Sequence, residues 1–292
     1  MATNAAPQIE VVPTGAPLGA DIRGIDLRDD ISDESFALIE NAWHEHCILR
    51  FRGQQLDDDA LVRFSQHFGT LDMAPTGRGG TPYDPSRPEI TVLSNIKING
   101  KNVGALGNSE LVWHQDMTYN DLPPKASLLY GIEVPERGGD TSFYNLYKAY
   151  ETLPSALKQR IASLSCKHDA TRTSAGTLRH GYEESYNNQE RPGAVHPLVV
   201  NHPATGRPVL YLGRRPGAWI VGFSDADSDA LLDELWAHIE QQDFVWTQQW
   251  QIGDLIIWDN RCAFHRRGKL YPELGRLMHR TQVSDRSKPI AA

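Results

Sequence analysis

Apolar side chains recur at helical spacing in four stretches, each behind a residue able to start a helix. Ser32 precedes Phe36, Ile39 and Trp43, and Asp57 precedes Leu61, Phe64 and Phe68. Pro154 and Ser155 open a third stretch around Leu157, Ile161 and Leu164. Ser224, with Asp227 three residues on, opens the fourth, which carries Leu232, Leu235, Trp236 and Ile239. Between these lie short β-like runs: CILRFRG, EITVLSNI, ASLLYGIEV, TSFYN, HPLVVNHPATGRPVLYLG, FVWTQQW, GDLIIWD and RLMHRTQV. Within one of them, NHPATGRPV sets Pro, Asn and Gly between two apolar segments, which is hairpin chemistry. Most runs fall after residue 90, and helices flank or interrupt them. That order predicts a mainly β fold with flanking helices, a sandwich or jelly roll, and not an alternating βαβ fold. No linker, repeat or low-complexity segment divides the chain, so residues 1–292 read as a single domain. Residues 165–195 are polar and lack a period. They are expected to form a lid or substrate loop, with a plain surface insertion as the alternative.

Composition narrows the function. The chain has 292 residues, of which 40% are hydrophobic, and a formal net charge of −8. The acidic balance argues against nucleic acid or an anionic membrane as partner. No apolar run approaches the roughly 18 residues a membrane helix needs, and the N-terminal residues carry no basic segment followed by an apolar one. The three cysteines, Cys47, Cys166 and Cys262, are widely spaced and form no CxxC pair, so thiols in a reducing cytoplasm are expected.

The stretch LVWHQDMTYN reads as an extended strand, which would send His114 and Asp116 to one side and Gln115 to the other. One face of one strand cannot surround a metal, so a third ligand has to come from elsewhere. His44 and His46 read as capping or space-filling residues, and His67, His168, His180, His196 and His202 have no partner at ligand spacing. His265, after the apolar run GDLIIWD and a turn, is the candidate. Two histidines and a carboxylate make a facial triad that leaves about three positions open on octahedral Fe(II), two for a bidentate 2-oxo acid and one for O2. In GRLMHRTQV, Arg276, Met278 and Arg280 alternate to one face, and Arg is the side chain suited to a carboxylate. Salt bridges to the chain's own acids are the plainer reading of either arginine. A zinc or manganese hydrolase or isomerase would fit the same two-His, one-Asp set.

With these residues in view, the chain closely resembles the Fe(II)- and 2-oxoglutarate-dependent dioxygenases of the taurine dioxygenase and 2,4-dichlorophenoxyacetate dioxygenase family. The resemblance runs in order through GADIRGIDLRD, ILRFRGQ, FSQHFGTLD, WHQDMTY, VPERGGDTSFYN, HPLVVNHPATGRPVLY, GDLIIWDNRCAFHR and RLMHRTQV, nearly the whole chain. It implies a double-stranded β-helix, a jelly roll with helices outside. It implies His114, Asp116 and His265 as iron ligands, Thr141 and Arg276 as contacts to the distal carboxylate of 2-oxoglutarate, Arg280 as the partner of an acidic primary substrate, and Trp258 close to the iron. Fe(II), 2-oxoglutarate and O2 would then hydroxylate a C–H bond with release of succinate and CO2, and a substrate carrying a heteroatom on that carbon would collapse to a carbonyl compound. Because related halogenases lack the carboxylate ligand, Asp116 implies oxygenation.

The taurine branch has a His and a Tyr shortly after the FG of the second helix, where this chain places Ala74 and Gly77. An aryloxyalkanoate-like carboxylate is therefore expected in place of taurine, with a sulfonate or sulfate ester as the alternative. Lys97, Lys101 and Arg78 read as solvated cations. A homo-oligomer in the cytoplasm, acting on a small anionic molecule with no nucleic acid or membrane partner, completes the expectation.

Overall fold

The computed structural model describes residues 9–74, 84–104, 112–184, 187–241 and 243–292. Its helices are α1 (Asp33–His46), α2 (Asp58–His67), α3 (Leu146–Glu151), α4 (Ser155–Ile161) and α5 (Asp225–Glu240). Its strands are β1 (Glu10–Pro13), β2 (Ala20–Arg23), β3 (Ile48–Phe51), β4 (Thr91–Ser94), β5 (Lys97–Ile98), β6 (Lys101–Asn102), β7 (Ala126–Glu133), β8 (Thr141–Asn145), β9 (Ser165–Lys167), β10 (Val195–Pro197), β11 (Val199–Asn201), β12 (Pro208–Leu210), β13 (Trp219–Ile220), β14 (Val245–Gln248), β15 (Leu255–Asp259), β16 (Ala263–Arg267) and β17 (Leu277–Val283).

The expected helix starts are the observed ones. The Ser32 hydroxyl accepts from the Ser35 N–H at 3.2 Å, the Asp57 carboxylate from Ala60 at 2.8 Å, and the Ser224 hydroxyl from Asp227 at 3.1 Å. Pro154 opens α4 without a side-chain cap. Several short elements carry weak signals and lie outside the expected runs, among them α3, only six residues long, and the edge pair β1–β2, whose outer strand has no buried residue.

A seven-stranded sheet in the order β1-β2-β3-β15-β7-β17-β4 and a three-stranded sheet β14-β8-β16 form the frame. Strand alternation gives the large sheet two apolar faces. Leu49, Phe51, Leu128, Tyr130, Leu255 and Ile257 pack with Ile39 and Trp43 of α1 and Phe64 of α2. Ile48, Leu129, Ile256, Trp258 and Met278 point the other way and share a core with Phe143 and Tyr144 of β8 and Phe264 of β16. The small sheet thus lies against the inner face of the large one, and the space between them holds the candidate residues.

Two expectations change here. Residues 112–120, the described part of the expected strand, are not extended: His114 makes one isolated bridge to His265, and residues 116–119 form a turn in which Met117 takes φ 51°. Residues 165–195 are not simply irregular, since β9 pairs with β10 and β13, and Arg172 bridges Leu178 in a small hairpin. No helix among the described residues is long and apolar enough to cross a membrane.

Candidate metal centre and active site

The bridge between His114 and His265 fixes two imidazoles side by side. The His114 N–H donates to the His265 carbonyl at 3.1 Å and the His114 carbonyl accepts from the His265 N–H at 2.8 Å, with the ring centroids 4.2 Å apart. Asp116 comes to the same place through the turn, not through strand alternation. The Asn260 side chain holds that turn: its carbonyl oxygen accepts from the Asp116 N–H at 2.6 Å, and its amide donates to the carbonyls of Asp116 at 2.9 Å and Pro124 at 2.8 Å. Asn260 went unnoticed in the sequence, although an Asn directly after the apolar run LIIWD was the available signal.

The three expected ligand residues meet in one cluster. Asp116 Oδ1 lies 3.8 Å from His114 Nε2 and 3.7 Å from His265 Nε2. Its other oxygen, Oδ2, accepts from Ser127 at 2.9 Å, Gln282 at 3.2 Å and Arg280 at 3.4 Å. Those donors leave Oδ1 to face the histidines. His114 Nδ1 lies 2.8 Å from the Val112 carbonyl, which can only accept, so Nδ1 carries the proton and Nε2 presents a lone pair. Burial pushes both imidazoles toward the neutral form, His265 to about 3. Burial alone would raise the Asp116 carboxyl, but Arg280 and the other neighbours outweigh it and hold the group at about 2. A carboxylate oxygen facing neutral imidazoles is an arrangement that a cation satisfies. Two His and one carboxylate with open sides suit Fe(II), so the residues present fit that ion.

Thr141 and Arg276 meet on either side of Trp250. Thr141 opens β8, and its hydroxyl accepts from the Trp250 indole N–H at 3.0 Å. The Arg276 guanidinium stacks 5.9 Å from the centroid of the same indole and is 2% exposed. Gly138 and Gly139, with φ 74° and 71°, turn the chain into β8. A Cβ on Gly139 would come within 2.7 Å of Leu270 and 3.4 Å of Arg276, so the glycine makes room for that arginine. Burial, with Arg267 nearby, lowers Arg276 to about 9, and no carboxylate lies within ion-pair distance of it among the described residues.

Along β17, Met278 and Arg280 face inward as expected, while His279 turns out to Asp58 at 2.6 Å. Trp258 is buried with its ring 4.8 Å from that of His265, so it serves the core and lines the centre at once. A cavity of about 420 Å³ opens over His114, Asp116 and Arg280. Thr173, Ser174 and Arg179 from the 165–195 segment also line it, as does Arg214, and neither Arg179 nor Arg214 was singled out from the sequence. Ala74 is described and buried, whereas Gly77 and Arg78 lie outside the described residues.

A second cluster, His202, Asp259 and Cys262, corrects the expectation that His202 lacks a partner. His202 Nε2 lies 2.9 Å from Asp259 Oδ2, which also accepts from Arg261 at 2.6 Å. Arg261 takes Oδ1 as well, so Asp259 is saturated and the cluster reads as a buried ion-pair network. Burial would raise Asp259, yet Arg261 and His202 outweigh it and pull the carboxyl well below the usual range. A carboxyl depressed on folding stabilises the protein above its unfolded pKa of about 4, and that stability is lost as pH falls below it. Asp259→Asn is therefore expected to cost about 3–5 kcal/mol at neutral pH and less below pH 4, as read from urea denaturation at both pH values.

The comparisons agree with this geometry. The model of the taurine catabolism dioxygenase TauD, TfdA family matches residues 10–282. The alpha-ketoglutarate-dependent 2,4-dichlorophenoxyacetate dioxygenase of Cupriavidus pinatubonensis is 32% identical over 260 residues, covering 86% of this chain and 89% of that protein. An alkylsulfatase of Acinetobacter baylyi is 33% identical over 288 residues, covering 96% and 86%. A solved structure of AAD-2 in complex with Mn(II) and N-oxalylglycine superposes with a TM-score of 0.76 at 27% identity, covering 97% of this chain and 100% of that one. With the family model matched over nearly the whole length, the chain belongs to the TauD/TfdA family of Fe(II)- and 2-oxoglutarate-dependent dioxygenases.

Proposed function

We propose that this dioxygenase hydroxylates a small anionic organic acid, with His114, Asp116 and His265 holding Fe(II), Thr141 and Arg276 holding the distal carboxylate of 2-oxoglutarate, and Arg280 meeting the acid group of the substrate. The observation that carries the reading is the convergence of two imidazole Nε2 atoms on Asp116 Oδ1 beneath a cavity walled by arginines. The large and small sheets then correspond to the two halves of a double-stranded β-helix. Residues 165–195, within one domain, act as a lid over the cavity. An aryloxyalkanoate-like carboxylate is favoured over taurine, because Ala74 stands where a sulfonate-binding His would be expected, and a sulfate ester is the alternative. Three buried free cysteines support a reducing, cytoplasmic setting.

When bound, Fe(II) with 2-oxoglutarate and O2 supplies oxidative decarboxylation to succinate and CO2, coupled to hydroxylation of a C–H bond. The chain's own residues do the positioning. Ser127 and Gln282 keep the Asp116 carboxylate turned so that Oδ1 faces the histidines. Val112 holds the His114 ring in the tautomer that leaves Nε2 unprotonated. Arg276, buried without a carboxylate partner among the described residues, gives a dicarboxylic co-substrate a reason to enter in one orientation. Arg280 lies close enough to Asp116 to place a substrate anion beside the centre and its carbon chain over it.

The test is anaerobic addition of Fe(II) and 2-oxoglutarate, which should give a weak visible charge-transfer band, followed by a screen of small carboxylates, sulfonates, sulfates and phosphonates for substrate-dependent succinate. Absence of both band and succinate would sink the reading. For any anionic hit, Arg280→Gln should raise the KM for that substrate by about tenfold or more, and raise the KM for 2-oxoglutarate by less.

A further inference from the structure

Arginines on the outer shell of this region find acids. Arg172 pairs with Glu184 at 2.8 Å, and Arg215 pairs with Asp229 at 2.9 Å and Asp233 at 2.8 Å. Of the three arginines that line the cavity, Arg280 meets Asp116 at 3.4 Å, and the other two form no ion pair among the described residues. Arg179 lies over the Tyr119 ring at 4.0 Å, and Arg214 donates to the Asp169 backbone carbonyl at 2.8 Å. Neither has a carboxylate within 4.0 Å among the described residues. Burial, and after it the charge of Arg179, lower Arg214, against a smaller opposing pull from Asp169 and Tyr119.

Their placement is built. The hairpin closed by the Arg172–Leu178 bridge carries Arg179, and the Val112 N–H ties it down by donating to the Ser174 carbonyl at 3.3 Å. Arg214 follows β12, where Gly213, at φ 65°, turns the chain closely against His168. A Cβ on Gly213 would lie 2.2 Å from the His168 ring, so no other residue fits there without displacing it. Two half-buried cations brought together without an ion-paired carboxylate among the described residues call for an anion from outside.

The charge balance says how much anion. Arg179, Arg214 and Arg280 line the cavity against a single carboxylate, Asp116. Arg280 already faces Asp116, and Arg276 is assigned to the distal carboxylate of the co-substrate, so Arg179 and Arg214 are the two positive charges left for the substrate to meet. We propose that Arg179 and Arg214 form a second anion-binding pair across the cavity from Asp116, and that with Arg280 they select a primary substrate bearing two negative charges. The proposal rests on the oxygenase reading and deepens it. A cavity of about 420 Å³ has room for a small organic body and its charged groups. The hydroxyls of Thr173 and Ser174 on its wall add neutral donors for oxyanion oxygens.

A matched set of benzylic acids tests this with the Fe(II)-loaded protein: phenylacetate and benzylsulfonate carry one charge, while phenylmalonate and benzylphosphonate, above their second ionisations, carry two. Substrate-dependent succinate gives kcat/KM, and calorimetry on the metal-free chain at low and high salt gives affinity independently of turnover. Dianions are expected to be favoured about tenfold or more over their monoanionic partners, with that advantage reduced in Arg179→Gln and in Arg214→Gln. Preference for the phosphonate would put both charges on one headgroup, and preference for the malonate would put them on two; either supports the pair. Monoanions bound as tightly as dianions by the wild-type chain would overturn the inference without recourse to any variant. A normal Fe(II)–2-oxoglutarate band alongside that result would leave the oxygenase reading intact, whereas loss of the band would overturn the reading beneath it.

Discussion

Asp116→Ala is expected to abolish the anaerobic charge-transfer band and to lower succinate formation by about a thousandfold, roughly 4 kcal/mol of activation free energy. The loss should exceed that of an ordinary ligand deletion because Asp116 does two things. Oδ1 faces the histidines, while Oδ2 gathers the donors of Ser127, Gln282 and Arg280. Removing the carboxylate leaves those buried donors unsatisfied and frees Arg280 to swing. Loss of an outer-sphere partner alone typically costs 10–100-fold in metal affinity. Titration with Fe(II) in the presence of 2-oxoglutarate, with circular dichroism to confirm folding, measures it. A variant that keeps the band at wild-type Fe(II) concentrations would show that Asp116 is not a ligand.

Arg276→Met is expected to move two measurements in opposite directions. The KM for 2-oxoglutarate should rise by about a hundredfold, since a buried charge-assisted contact is worth about 2–5 kcal/mol. Without 2-oxoglutarate, the same variant should be more stable than the wild type by about 1 kcal/mol or more, because a cation buried without a carboxylate costs folding energy that a similar apolar side chain does not. The direction of the electrostatics agrees, since burial lowers Arg276 and the folded state thus disfavours its charged form. Adding 2-oxoglutarate should raise the melting temperature of the wild type and leave that of Arg276→Met nearly unmoved. Thermal melts with and without the acid decide it, and equal responses in both proteins would remove Arg276 from the clamp.

What the sequence revealed follows how local each signal is. Ser32, Asp57 and Ser224 were legible because a cap bonds a backbone N–H only three residues away. Strands β7, β15 and β17 were legible because their apolar residues pack on both faces of one sheet, which leaves long unbroken runs. The 111–120 stretch misled because its composition suits a strand, whereas a left-handed Met117 and the grip of Asn260 make residues 116–119 a turn. His114, Asp116 and His265 were found all the same, since a ligand set depends on which residues are present more than on how the chain reaches them. Arg179 and Arg214 were not found. A lone cation in an irregular stretch looks the same whether it faces solvent or a cavity, and only the hairpin and the close turn at Gly213 bring these two together.

The antiparallel bridge at His114 and His265 joins segments distant in sequence with only two hydrogen bonds, in a chain stretch that is otherwise a turn. An ion held by both imidazoles and Asp116 would act there as a removable cross-link, closing a long loop that the backbone alone closes weakly. Loading the metal would thus set the rigidity of the cavity rim as well as its chemistry. Slowed amide exchange at His114, felt through Val112 as far as the Ser174 hairpin, would register occupancy of the centre before any substrate turns over.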